Sequence, residues 1–343
     1  MPTIEPANGV EPELSAMMDA VFADYRRSYS SSSGFDADLW AALDRLGLVR
    51  LTGPETSGGS GASWFEAAEL LTAAVRHGVR VPLAEHDLLA CAVLDDAGLD
   101  ADDGLVRTLG FLDGNGEASG VPWTTAADRI VLISQSDTSC FVSDLDPSTV
   151  EVVNGANIIG EPRATIRVAD EILSRTTVSA SAVEKARLKY AMIRAIQVCA
   201  ALECAVESAI EHTTTRIQFG KPLARMQVVQ SLIADAAAET ALARTATESA
   251  LQVAVASSWF DERLPFLVAV ARSCVGHAAS IVVRNSHQVH GAIGTTREHR
   301  LHEYTRAALA WRGEGGSVRY WDQQVGRYAS QAGPAMLWPL IAG

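Results

Sequence analysis

Apolar positions along the chain recur with a helical period at both ends and with a strand period in the middle. Pro12 opens an amphipathic run to about Arg27, where a serine run (Ser28, then Ser30–Ser33) breaks it. In Phe35–Leu48, Leu39, Leu43 and Leu46 fall at i, i+4 and i+7, one face of a second helix. The Gly/Ser/Pro stretch LTGPETSGGSGAS reads as a loop. Trp64–His77 follows as a helix carrying Ala67, Leu70, Leu71 and Ala74, and Leu83–Ala97 as another. The period then changes. Arg129–Ile133, Cys140–Leu145, Val150–Val153 and Ala164–Val168 are short, rich in β-branched residues and separated by Asp, Pro, Gly and Asn, so they predict strands.

The last part is helical again. Ser181-Ala-Val-Glu184 has the form of a capping box and predicts the start of a helix running to about Ile217. Gly220-Lys221-Pro222 stops it and starts the next. That helix runs to about Ser257, with Val229, Leu232, Ile233, Ala236 and Leu242 on one face. A third spans about Asp261–His290, and a short fourth starts at Glu298. Long helices joined by short loops pack as an antiparallel four-helix bundle. The predicted fold class is α+β, mainly α: an N-terminal helical domain (1–108), a small β-domain (109–175) and a C-terminal bundle (176–343).

Composition narrows the function classes. The chain has 343 residues, 48% of them hydrophobic and 20% charged, enough apolar content for a folded core rather than disorder. Its net charge of −13 argues against nucleic acid or an anionic membrane surface as the main partner. No run of about 18 consecutive apolar residues is present, so no membrane span is expected. The first residues are acidic and do not form a secretory signal. Five scattered cysteines without a CxxC pair read as buried thiols in a reducing, cytoplasmic setting.

Several local patterns read blandly. There is no P-loop, and Gly58-Gly59-Ser60-Gly61 lies between helices, which speaks against a Rossmann nucleotide site. His287-x-x-His290 and His299-x-x-His302 put imidazoles in pairs on helical faces. Gly291 and Gly294 interrupt the stretch between the pairs, so they read as polar helix-end histidines and no metal is expected. Glu203, Glu207 and Glu211 read as a solvated stripe, and Trp311 and Trp321 as core. Two segments do not. Arg216-Ile-Gln-Phe219-Gly220-Lys221-Pro222-Leu sets two cations beside a tight turn, which suits a diphosphate. Gln288-Val-His290-Gly291-Ala-Ile-Gly294 lets a ligand approach the backbone closely.

On these residues the chain resembles the acyl-CoA dehydrogenases. Arg216, Phe219, Gly220, Pro222 and Leu223 match that family's RxxFGxPL motif, and Gln288, Gly291, Ala292 and Gly294 match its QxxGGxGF segment. Gln227 and Gln230 sit where the family has a glutamine after the FG turn. Trp40, Leu46-Gly47-Leu48, Pro54-Glu55 and Gly58-Gly59-x-Gly61 match its N-terminal pattern. The resemblance implies FAD as cofactor, a CoA thioester as substrate and α,β-dehydrogenation as reaction. A carboxylate takes the α-proton, the flavin takes a hydride, and electrons pass to an electron-transfer flavoprotein. By the same resemblance Arg216, Phe219, Gln227, Gln288, His290, Gly291, Gly294 and Ser317 are cofactor-binding.

The base implied is Glu314, in the loop Trp311-Arg-Gly-Glu314-Gly-Gly-Ser317. An ungapped count from Gln288 puts Gly315 on the base position and Glu314 one residue before it. The family's alternative base position counts back to Tyr190. The middle domain is shorter than the family's, and Trp123-Thr124-Thr125 is at best a remnant of one flavin-covering stretch. These departures resemble the short subunits of actinobacterial, sterol-catabolism acyl-CoA dehydrogenases, which pair with a larger subunit as α2β2 heterotetramers. Self-association is the other arrangement. A bulky or steroid-derived acyl group is implied. The alternatives are a non-catalytic, cofactor-completing assembly subunit and a flavin monooxygenase on the same fold.

Overall fold

In the N-terminal region, helices form where apolar stripes can close on one another. The computed structural model describes residues 9–28, 34–136, 138–218 and 220–342. Helix α1 (Pro12–Ser28) buries Met18 and Phe22, one turn apart. They join Leu39 and Leu43 of α2 (Ala37–Arg45) and Leu70 and Ala73 of α3 (Trp64–His77) in one core. Residues 29–33 of the serine run lie outside the described residues. Helix α2 is shorter than its apolar pattern. Asp36 caps it by accepting the Leu39 N–H at 3.0 Å, and Gly47 turns the chain at φ +70°. Leu46, expected on the buried face, therefore follows the helix end and is 45% exposed.

Ser63 and Glu66 form a reciprocal cap at the start of α3. The glycine run before it is a packing device: a Cβ on Gly59 would stand 2.0 Å from the Gly53 carbonyl oxygen.

One α-helix is expected over Leu83–Ala97. The structure instead winds Ala84–Cys91 as a π-helix before α4 (Ala92–Asp96), and all eight π residues are buried. Three consecutive ones are polar: Glu85, His86 and Asp87. Asp87 accepts the Thr52 N–H (2.8 Å) and hydroxyl (3.0 Å) and pairs with Arg50 at 3.3 Å. His86 Nδ1 accepts the Arg107 N–H at 3.1 Å. Burial, then the Arg50 and Arg107 guanidiniums, hold His86 down to about 3. Apolar periodicity carries no sign of this, because the ordering groups are polar and their partners lie elsewhere in the chain.

Among the described residues, the β-region has two sheets. In one the order is β1 (Arg107–Phe111), β3 (Arg129–Gln135), β4 (Cys140–Leu145), β7 (Thr176–Val178), with β1 parallel to β3 and the other pairs antiparallel. In the other, β2 (Glu117–Pro122), β6 (Arg163–Arg167) and β5 (Glu151–Val153) run antiparallel. The expected strands form within a residue or two of their predicted ends. Strands β1, β2 and β7 are additional. β1 and β2 carry Gly110 and Gly120-Val-Pro122, which mask a strand pattern. A Cβ on Gly110 would stand 2.9 Å from Leu132 and Val121, so close packing selects glycine there. Arg107 is buried and pairs with Asp103 (2.6 Å) and Asp144 (3.2 Å).

The chain falls into two compact units, Met1–Lys189 and Tyr190–Gly343. Helix α5 (Ala180–Thr215) begins in the first and continues through the second. Its N-terminal cap is Ser179, whose Oγ accepts the Ala182 N–H at 3.1 Å, in place of the expected capping box at Ser181–Glu184. Helices α6 (Gln227–Ala256), α7 (Leu264–His290) and α8 (Leu301–Trp311) complete the bundle. A further helix, α9 (Val318–Ala342), was not expected. It packs on α7 where Gly276 admits the Val318 side chain, and Gly333 and Pro334 kink it.

The segment Leu264–Thr295 has the length and mean hydropathy (1.8) of a membrane span, although it contains no unbroken apolar run of that length. Bundle packing accounts for that apolarity. Val268, Ala269, Val275, Ala279 and Val282 are buried, and so are the polar Arg272, Asn285, Ser286 and His290. The five cysteines are free thiols. Four are buried and Cys274 is half-buried.

His86 gives a pH prediction with a defined sign. In the unfolded chain a histidine takes up a proton below about pH 6.5, whereas folded His86 stays neutral to about 3. Its contribution is therefore complete above pH 6.5 and lost as pH falls toward 3. His290, held down to about 4 by burial first, acts with the same sign. The urea midpoint is expected to fall between pH 7 and pH 5. His86→Gln, which keeps an acceptor for Arg107, should flatten that slope; an unchanged slope would contradict the assignment.

Candidate functional site

Three helix ends meet at one end of the bundle. Ala209 of α5, Val229 of α6 and Val289 of α7 pack together, with Met226, Leu232 and Ile233 around them. Asn285 is buried and donates to the Leu232 carbonyl (3.0 Å) and Asp235 (2.9 Å), and the Ser286 hydroxyl donates to the Ala205 carbonyl at 3.4 Å. The turn after α5 is thereby held. It forms a minimal hairpin, β8 (Ile217–Gln218) with β9 (Lys221–Pro222), around Gly220 at φ +76°.

Arg216 and Lys221 are exposed on this turn, Gln227 is exposed in the first turn of α6, and Gln288 is exposed in the last turn of α7. Phe219 lies outside the described residues. Gly291 follows at φ +64°, with open space where a side chain would be. The fold thus collects Arg216, Gln227, Gln288 and Gly291 at one end of the bundle. Two exposed cations beside open glycine backbone suit a diphosphate.

Three other residues expected to bind cofactor have intramolecular contacts of their own. Gly294 is buried, and a Cβ on it would meet His290 Cβ at 2.8 Å and Leu301 at 3.1 Å, so helix packing selects it. His290 points inward. Its Nδ1–H donates to the Ser286 carbonyl at 2.7 Å, and its ring stacks on His212 at 4.5 Å. The Ser317 hydroxyl accepts the Tyr320 N–H at 3.1 Å and caps α9.

Glu314 belongs to a second constellation. Its carboxylate pairs with Arg194 Nε at 2.9 Å, with side-chain exposures of 13% and 1%. Arg272 donates through Nη2 to the Arg312 carbonyl (3.1 Å) and the Glu314 carbonyl (2.7 Å), so it fixes the loop by its backbone. The Arg194 guanidinium lies 5.1 Å from the Tyr190 ring and that of Arg272 lies 5.6 Å from the Trp321 ring. Burial holds Arg272 down to about 10, so it stays charged at neutral pH. Gly315 lies against Tyr190, with 2.7 Å from a built Cβ to the ring. The loop and the residue counted back to on α5 therefore meet in space.

Arg194 and Arg272 were not picked out from the sequence. Each is a lone cation within an apolar helical stretch (AMIRAIQVCA and LVAVARSCVG), a signal that a buried charge needs a partner. The two constellations are separate. Arg272 and His290 are 18 residues apart on α7, about 27 Å along the axis.

In the first unit, Trp123 is buried and adopts φ +55°, a conformation costly for an aromatic residue. The next residue, Thr124, has a buried hydroxyl with no partner among the described residues.

Comparison with known proteins identifies the family. Residues 10–102 match the acyl-CoA dehydrogenase N-terminal domain, and residues 178–327 match the acyl-CoA dehydrogenase C-terminal domain. The chain is 25% identical over 288 residues to acyl-CoA dehydrogenase IpdE2 of Mycolicibacterium smegmatis, covering 82% of this chain and 85% of that one. It is 25% identical over 345 residues to acyl-CoA dehydrogenase FadE27 of Mycobacterium tuberculosis, covering 89% and 92%. Among solved structures, a chain of the ChsE4-ChsE5 complex from Mycobacterium tuberculosis superposes with a TM-score of 0.82 at 20% identity, covering 96% of this chain and 99% of that one. The two domain matches together take in most of the sequence: the chain belongs to the acyl-CoA dehydrogenase family, whose cofactor is FAD.

Proposed function

We propose that this chain is one subunit of a heteromeric, FAD-dependent acyl-CoA dehydrogenase that introduces an α,β double bond into a bulky CoA thioester. The observation that carries the reading is the separation of about 27 Å along α7 between the diphosphate-suited bundle end and the Glu314 loop. Groups that far apart do not act on one reacting atom. The separation fits a chain whose bundle end holds the far half of a long cofactor while the flavin ring is covered elsewhere. The similar ChsE4-ChsE5 structure is a complex of two differently named proteins, and the similar Tcur3481-Tcur3483 structure is of a steroid ACAD variant. The short middle domain supports a partner that completes the site.

FAD, when bound, supplies the hydride acceptor. The residues of this chain that would hold it are Arg216 and Lys221 at a phosphate, Gln227 and Gln288 beside them, and Gly291 where backbone comes close. Glu314 is the residue proposed to take the α-proton. A general base of this kind needs a poorly solvated carboxylate, and Glu314 is largely shielded from water.

A second reading has its own observation. The Glu314 carboxylate is already engaged by the buried Arg194 guanidinium. In that reading the ion pair shapes the Gly313–Gly316 loop, the base lies in the partner, and this chain completes the cofactor site.

Coexpression with the product of the neighbouring gene is expected to yield a heteromer with one flavin per pair of unlike chains, bleached anaerobically by a CoA thioester. A flavin on every chain would contradict the shared site. In that heteromer, Glu314→Gln is expected to slow flavin reduction by at least about 100-fold while leaving flavin content unchanged. Full activity in the variant would assign the base to the partner.

A further inference from the structure

The bundle end holds a histidine cluster that the sequence pairs did not foretell. His212 comes from the last turn of α5, His290 from the last residue of α7, and His299 from the segment before α8. One imidazole nitrogen from each lies within 4.8 Å of the other two. The ring centroids are 4.5 Å apart for His212–His290, 4.6 Å for His290–His299 and 6.1 Å for His212–His299. The pairs read from spacing are divided by this arrangement. His287 Nε2 is bonded with the Thr305 hydroxyl (3.0 Å) and His302 Nδ1–H donates to the His299 carbonyl (2.8 Å), so both have other partners.

We propose that His212, His290 and His299 form a three-imidazole site for a late first-row divalent cation, Zn2+ being the natural occupant, with water as fourth ligand. Nothing in the family reading requires it, and it does not rest on the FAD assignment.

Two features fit. His290 donates Nδ1–H to the Ser286 carbonyl, which fixes the tautomer and leaves the lone pair on Nε2. Such an outer hydrogen bond accompanies most metal-bound histidines. The Ser208 hydroxyl now donates to that Nε2 over a long 3.4 Å, a contact that coordination would replace. Burial first, and the neighbouring rings after it, keep His290 and His212 neutral, as ligands must be.

Two adjustments are needed. Two nitrogens on a tetrahedral Zn2+ stand about 3.3 Å apart, so nitrogens up to 4.8 Å apart must close by up to about 1.5 Å, His212 turning out of its stack. His299 Nδ1 accepts the Leu301 N–H at 3.2 Å, so coordination through Nε2 moves the ring proton to Nδ1 and gives up that one long hydrogen bond. The bound ion would tie the ends of α5 and α7 to the start of α8, beside the turn that carries Arg216.

The test uses the full chain without a polyhistidine tag, stripped with EDTA and then freed of it. Titration with Co2+ should give saturable uptake of one equivalent per chain, with the visible spectrum of tetrahedral nitrogen ligation. Zn2+ should displace it and raise the melting temperature. His212→Gln and His299→Gln should each weaken uptake at least about tenfold, and His77→Gln, in the other unit, should not. Absence of saturable uptake, or uptake equal in the variants, overturns the site. If the variants do not fold, X-ray absorption on the wild-type Zn2+ protein decides: three imidazole ligands support the proposal and fewer overturn it. No step of the test uses turnover, so its result is independent of the enzymatic reading.

Discussion

The loop that carries Glu314 has its shape because two guanidiniums are buried beneath it. A charge in an apolar interior must be met by hydrogen-bond acceptors or an opposite charge, or the fold loses several kcal/mol. Arg272 meets part of this demand through Nη2, which donates to the Arg312 and Glu314 carbonyls, groups that the end of α8 leaves without helical partners. Arg194 meets it with the Glu314 carboxylate. Backbone and side chain of one residue are thereby held from two helices. The glycines around Glu314 supply the turn, and Tyr190 fills the space where Gly315 has no side chain. Whether Glu314 acts as base or as brace, its position follows from satisfying buried charge.

The other end of the bundle is governed by different physics. There the helices end in small apolar contacts and a few buried hydrogen bonds from Asn285 and Ser286. What remains outward is polar and open: Arg216, Lys221, Gln227, Gln288 and the backbone at Gly291. What turns inward is the histidine cluster. An outward face that suits a diphosphate and an inward face that suits a cation are compatible, because each answers to its own local environment.

Much of this was legible in the sequence. Apolar periodicity gave the bundle helices to within a few residues, because a long amphipathic stripe has one way to bury itself. It was silent about the π-helix at Ala84–Cys91, where buried Glu85, His86 and Asp87 override the apolar period. It missed β1 and β2, where glycine and proline hide the alternation, and it missed α9. Of the residues singled out as contacts, Arg216, Gln227, Gln288 and Gly291 lie at one bundle end, and Gly294 and Ser317 also have packing and capping contacts within the chain. A glycine chosen for close packing and one chosen for an open turn look the same in a sequence.

By itself, the sequence determined the order of helical, sheet and helical segments, the two motif turns and the family they belong to. All of these rest on residues within a few positions of one another, which local geometry and periodicity can read. Only the tertiary structure decided which distant side chains share a site: Arg194 and Arg272 with Glu314, and His212 with His290 and His299. Those pairings join residues 9 to 120 positions apart in the chain (299 − 290 and 314 − 194). They follow from how helices stack and which buried charges and rings must be satisfied together, and a linear pattern does not record that.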